Sequence, residues 1–309
     1  MRPRSAFSRV ALLGVLGACA GQPPAPPPRV AIRPVSAAPV PPPVLAAAPA
    51  GPPAPDRPPL QPAPPPETLP ALDLAPPVHL TPPPHCVGVP ALTFEGNAPS
   101  PPPHLPLGQE IDVPGDRPLY LLPGDVGDTR LIVYLHGMCG DVAAADYFRE
   151  AVRAHGSLLA LRGDTRCAGD RFKWHDHPAK MLQRIRTALK RVNDVNGSAL
   201  TLTGALLFGY SQGAARAEKL AAEFPTFFPR VVLGGPPLPP SPVKLARAKR
   251  VAILGGELET TERMREGFDA LQAARISSRF FTLECAYHGN YGTRAEAQLL
   301  EVLDWVSDK

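Results

Sequence analysis

The chain lacks a lopsided charge. Its net +4 divides into 6 basic and 4 acidic side chains over residues 1–106, and 26 and 24 over residues 107–309, +2 in each part. Without a basic excess the second part has no electrostatic footprint for nucleic acid. The Arg/Lys-rich stretch Lys244–Arg250 reads instead as a solvated helix face or loop. The N-terminal apolar run, Val10 to Ala18, is nine residues long, too short for a bilayer that needs roughly 20. Aromatics are scarce between Pro23 and Pro106, where 32 of the 44 prolines lie. A segment of that composition cannot build a helical or sheet core. The folded part is therefore expected over residues 107–309, about 200 residues, enough for one well-buried core.

A third metal ligand is missing as well. Imidazole and carboxylate in Trp174-His175-Asp176-His177 are zinc-ligand types, and side chains at i and i+2 near a helix start could converge as two ligands, but no third is evident. Asp176 is read as the cap of a helix starting at Pro178, with its neighbours lining a pocket or the surface. Trp174 is either a wall for substrate or a buried packing residue. No metal and no cofactor is expected.

What is present starts with a signal. Arg2, Arg4 and Arg9 precede the short apolar run, which ends at Leu16-Gly17-Ala18-Cys19. This order resembles the lipobox of bacterial lipoproteins, over about 20 residues. The resemblance implies that residues 1–19 are a signal peptide and that Cys19 carries lipid at the mature N-terminus. Several acyl chains there would give stable membrane attachment. Residues 20–106 then read as a Pro/Ala-rich tether, with runs such as Pro26-Pro27-Pro28 favouring polyproline II. The patch from His85 to Gly96, with Cys86, Val87, Val89, Leu92 and Phe94, has the apolar content to pack onto the domain.

After residue 107 strands and helices alternate. Strands are expected at Arg117–Leu122, Leu131–Leu135, Leu158–Leu161, at the run ending in Tyr210, and at Val231–Leu233, Val251–Leu254 and Arg279–Leu283. Helical spacing marks Ala143–Ala154, Lys180–Val192, Ala214–Ala222, Met264–Ala274 and Ala295–Val306. Near-continuous apolar strands alternating with helices predict an α/β fold, a doubly wound and mostly parallel sheet with helices on both faces.

Within this pattern Leu206-Leu207-Phe208 runs into Gly209-Tyr210-Ser211-Gln212-Gly213. A Gly-x-Ser-x-Gly turn between strand and helix puts the serine hydroxyl above the sheet. Glycines flank it because a Cβ at either place would strike the neighbouring strand or helix. The Gln212 N–H then lies at a helix N-terminus, where it stabilises a developing oxyanion.

On this pentapeptide and the alternating pattern, residues 107–309 resemble the α/β-hydrolase family, in particular its small dienelactone-hydrolase and carboxylesterase/thioesterase-type members. Gly-Tyr-Ser-Gln-Gly-Ala is also similar to cutinase-like enzymes, and Gly-x-Ser-Gln-Gly to acyl-protein thioesterases. No long insertion separates residue 233 from 251, so no large lid is expected. The resemblance implies the chain order serine, acid, histidine. His288 is the one histidine after Ser211. The acid belongs to the loop Gly255-Gly256-Glu257-Leu258-Glu259, which matches the family's Gly-x-x-Asp spacing with glutamate. Glu259 is favoured and Glu257 is the alternative. His136-Gly137-Met138 follows the central strand, and the resemblance implies that the Met138 N–H is the second oxyanion donor.

Cys86, Cys139, Cys167 and Cys285 form an even set in an exported chain, with three possible pairings. In a fold of this family Cys139 and Cys167 follow neighbouring strands, which favours Cys139–Cys167 and leaves Cys86–Cys285. The function these features imply is hydrolysis of an ester or thioester through an acyl-enzyme at Ser211, at a membrane held through Cys19. The alternatives are a peptidase with the same residues, and a non-catalytic binding module at the cell surface.

Overall fold

The computed structural model describes residues 82–87, 108–125 and 127–308. The signal, Cys19 and nearly all of the tether lie outside the described residues. Ten strands and six α-helices follow one another in the order β1 (Gln109–Ile111), β2 (Leu119–Leu122), β3 (Leu131–Leu135), α1 (Arg149–His155), β4 (Ser157–Leu161), β5 (Thr165–Arg166), β6 (Phe172–Lys173), α2 (Pro178–Asn196), β7 (Leu206–Tyr210), α3 (Gln212–Glu223), β8 (Arg230–Gly234), α4 (Pro242–Leu245), β9 (Arg250–Gly256), α5 (Glu262–Ala273), β10 (Ser278–Leu283) and α6 (Ala295–Val306).

Eight strands make one sheet in the order β1-β2-β4-β3-β7-β8-β9-β10. Pairings are parallel from β4 to β10, and only β1–β2 and β2–β4 are antiparallel. β3, β4 and β7 are buried at every position, as a sheet covered on both faces demands. Alternate residues serve opposite cores. Val133, Leu207, Val231 and Ile253 pack with α2, α3 and α5 on one face. Tyr134, Phe208, Val232 and Ala252 pack with α1 and α6 on the other. The two faces bury nearly all of the large apolar side chains, the dominant favourable term in folding.

The expected elements form, with shifts that have local causes. The strand expected from Arg117 starts at Leu119, because Pro118 has no N–H to give a ladder. The helix expected at Ala143–Ala154 divides into a 3₁₀ segment, Val142–Phe148, and the α-helix Arg149–His155. Val142, Ala145 and Phe148 are its buried residues, a spacing of three that a three-residue turn puts on one face. Asp176 does not cap α2: His177 does, with Nδ1 accepting from the Ala179 N–H at 3.4 Å. Asp176 pairs instead with Lys180 at 2.7 Å. Strand β1, the β5–β6 hairpin and α4 were not expected; none exceeds four residues.

The favoured disulfide and the pairing it leaves are both present. Cys139–Cys167 and Cys86–Cys285 have Cα separations of 5.7 and 5.3 Å. The first joins the loop after β3 to the β5–β6 hairpin, and the second fixes the short 3₁₀ turn Pro84–Cys86 to the loop after β10.

Candidate active site

The parallel strands point their C-terminal ends at one rim, where the loops after β3, β7, β8, β9 and β10 meet. At the end of β7, Ser211 has φ +50° and ψ −117°, an angle pair that a side chain adopts only under constraint. Its neighbours explain the constraint. A Cβ on Gly209 would lie 2.2 Å from the Gly213 carbonyl oxygen, and one on Gly213 would lie 2.0 Å from that of Leu135. Strand, turn and helix therefore approach closely only because both residues are glycine. The Ser211 N–H donates to Gly234 O at 2.7 Å, tying the turn to β8.

His288 lies in the loop after β10. Its Nε2 is 3.0 Å from Ser211 Oγ, and its Nδ1 is 2.7 Å from Glu259 Oε2. An ionised carboxylate accepts only, so Nδ1 carries the proton, and the Nε2 lone pair faces the serine O–H. Glu259 Oε1 takes the Gly256 N–H at 2.5 Å, which fixes the carboxylate within its own turn. Glu259 is 7% exposed while the His288 ring is 41% exposed. The Glu259 carboxylate is thus shielded and the His288 ring is open to solvent.

Glu257 has a different place. It accepts the Cys285 N–H at 3.0 Å and stands 3.1 Å from His85 Nε2. The Cys285 amide foremost, helped by His85, holds its carboxyl below the usual carboxylate range. It faces the Cys86–Cys285 bridge rather than the His288 ring.

The loop after β3 packs against the serine. A Cβ on Gly137 would sit 3.3 Å from Ser211 Cβ. Gly137 to Gly140 form a turn closed by Gly140 N–H to Gly137 O at 3.0 Å, with Cys139 at φ +52°. The turn does not use the amides of its two central residues, Met138 and Cys139. Gln212 begins α3, so its N–H is one of the donors a helix leaves unpaired in its first turn.

Several side chains support the site through contacts that no motif specifies. His136 Nε2 accepts the Gly163 N–H at 3.0 Å, and Nδ1 donates to Gly137 O at 2.7 Å. Burial lowers the His136 pKa to about 4, so the ring is a neutral clamp on this loop. The Gln212 side chain brackets the Trp174 backbone, accepting its N–H at 2.9 Å and donating to its carbonyl at 3.3 Å. Trp174 itself is 1% exposed and donates Nε1–H to His136 O at 2.9 Å. It is a packing residue and not a substrate wall. Tyr210 accepts the Gly289 N–H at 2.8 Å, and its ring lies 5.6 Å from that of His288. Asn290, 5% exposed, takes the N–H groups of Tyr287 and Gly292, both at 3.1 Å. A buried amide two residues beyond a candidate base is the signal that would have marked it.

No family model and no curated protein matches the chain. Among solved structures it is similar to the fluorophosphonate-binding serine hydrolase F of Staphylococcus aureus, at 14% identity, covering 65% of this chain and 98% of that one with a TM-score of 0.49. A predicted CIB-like hydrolase from Thermoplasma acidophilum shares 15% identity, with coverages of 65% and 98% and a TM-score of 0.47. The Bacillus cereus carboxylesterase shares 16%, with coverages of 63% and 94% and a TM-score of 0.44. By its own strand order, with β2 reversed and the serine turn at the end of the central β7, the chain has the α/β-hydrolase fold.

Proposed function

We propose that the protein is an exported, lipid-anchored serine hydrolase that cleaves an ester or thioester through an acyl-enzyme at Ser211. One observation carries this reading: the His288 ring bridges Ser211 Oγ and Glu259, at 3.0 and 2.7 Å. On attack, the serine proton moves to Nε2 as Oγ bonds the substrate carbonyl carbon. Glu259 keeps the ring in the required tautomer and stabilises the imidazolium that forms. The charge on the carbonyl oxygen is met by the N–H groups of Met138 and Gln212. His288 then passes its proton to the leaving alcohol or thiol, and afterwards takes one from the water that releases the acyl group. Glu259, rather than Glu257, is the acid.

Two disulfides in the described residues support an oxidising compartment, which agrees with export through residues 1–19 and lipid on Cys19. Residues 20–106 serve as the spacer, with their Pro84–Cys86 turn fixed by Cys86–Cys285 to the hydrolase domain, 107–309. Palmitate labelling of the wild type, lost in Cys19→Ala, tests the anchor.

A panel of p-nitrophenyl esters of rising chain length, run beside peptide substrates, tests the reaction class. Turnover of esters that disappears in Ser211→Ala is the expected result. Turnover of peptides alone would make the protein a peptidase, and no turnover of either would favour a binding module.

A further inference from the structure

The Cys86–Cys285 bridge is set in a group of donors whose chemistry exceeds that of a brace. One ligand atom each from His85, Cys86, Glu257 and Cys285 lies within 4.8 Å of all the others. Two sulfurs, an imidazole and a carboxylate form a zinc-type set. Around Glu257 the spacings are close to those of a tetrahedral centre, and the two bonded sulfurs must move apart on reduction to complete it. Zinc bonds of about 2.0–2.3 Å put neighbouring ligands about 3.3–3.8 Å apart. His85 Nε2 and Cys86 Sγ stand 3.2 and 3.6 Å from the same oxygen, Glu257 Oε2.

The carboxylate is already aimed. The Cys285 N–H holds Oε2 at 3.0 Å, the kind of outer contact that orients a metal ligand. His85 is 54% exposed, so an ion has an approach from solvent. The covalent bond prevents binding in the oxidised chain, since disulfide sulfurs carry no thiolate charge.

We propose that this cluster is a redox-gated zinc site, closed as a disulfide when oxidised and able to bind one Zn²⁺ through His85, Cys86, Glu257 and Cys285 when reduced. The step balances with a dithiol reductant. The S–S bond takes two electrons and two protons, giving two thiols, while the dithiol becomes a cyclic disulfide. Zn²⁺ then displaces the two thiol protons to solvent. The same two segments, the Pro84–Cys86 turn and the loop carrying His288, remain joined in both states, first by a covalent bond and then by coordination. The site does not depend on Ser211 chemistry.

The test is Co²⁺ and Zn²⁺ binding by the full chain, before and after reduction, with thiol counts checked by alkylation and mass spectrometry. The reduced chain should bind one Co²⁺, with a thiolate charge-transfer band and the strong visible bands of a tetrahedral centre, and Zn²⁺ should bleach both. The oxidised chain should bind none. His85→Ala should weaken binding at least tenfold while leaving both thiols in place, and Cys86→Ser, which leaves Cys285 as the one thiolate, should cut the charge-transfer band by about half or more. Cys139→Ser/Cys167→Ser should bind as the wild type does. Binding lost in that double variant, binding unaffected by His85→Ala, or no tetrahedral spectrum in the reduced chain would overturn the proposal. So would a reduced chain that loses its near-ultraviolet circular dichroism and does not recover it with Zn²⁺.

Discussion

Glu259 Oε2 lies 2.7 Å from His288 Nδ1, although 29 residues separate them. The Gly256 N–H holds the other carboxylate oxygen, so the imidazole meets an acceptor that cannot swing away. Glu259→Gln keeps the shape but offers an amide that stabilises neither the Nδ1–H tautomer nor the imidazolium. The expected fall in kcat is roughly 10³–10⁴-fold, with KM little changed. Steady-state kinetics checks this. Glu259→Asp, one methylene shorter, should retain more activity than the amide.

The Met138 amide is testable although it is backbone. It occupies the first central position of the turn that Gly140 closes on Gly137, with Cys139 at φ +52° after it. Such turns accept proline at that position, and proline removes the N–H. Met138→Pro should fold and lose about 10²–10³-fold in kcat. Met138→Ala, which keeps the N–H, should lose far less.

The serine turn depends on missing side chains. A Cβ on Gly213 would lie 2.0 Å from the Leu135 carbonyl oxygen, and backbone on β3 cannot step aside. Gly213→Ala should destabilise the fold by about 3 kcal/mol or prevent soluble expression. Denaturant unfolding measures it.

The Cys139–Cys167 bridge closes a 28-residue separation. Loop-closure entropy for that length corresponds to about 3–4 kcal/mol. Cys139→Ser/Cys167→Ser should lose up to that amount. It should also lower kcat, because Cys139 is held at positive φ beside Met138.

His136 gives stability a pH dependence of known sign. Burial lowers its pKa from 6.5 to about 4, so the unfolded chain takes up the proton first as pH falls. The contribution is complete above pH about 6.5 and falls away down to about 4, a loss on the order of 3 kcal/mol. Unfolding free energies over that range should show the slope, and His136→Gln should reduce it.

Much of this arrangement was legible in the sequence, for local reasons. Ser211 is marked by a pentapeptide whose glycines have a steric cause, and α6 is found at Ala295–Val306 as its spacing predicts. Short elements were not legible: three residues in β1 and two in each of β5 and β6 span at most one and a half periods of a strand pattern, too little to be read as alternation. The choice between Glu257 and Glu259 was not a local matter either. Both lie in one loop, and the return of the chain after β10 sends His288 to one and Cys285 to the other. The clamping contacts of the His136 and Gln212 side chains were not visible, because their partners, Gly163 and Trp174, lie 27 and 38 positions away.

The most direct measurement is labelling of the folded full-length protein with a fluorophosphonate, followed by peptide mass spectrometry. Stoichiometric modification of Ser211 that is absent in Ser211→Ala and strongly slowed in His288→Ala is expected. A folded wild type that takes up no probe, or a Ser211→Ala variant that is labelled as fast, would contradict the hydrolase reading.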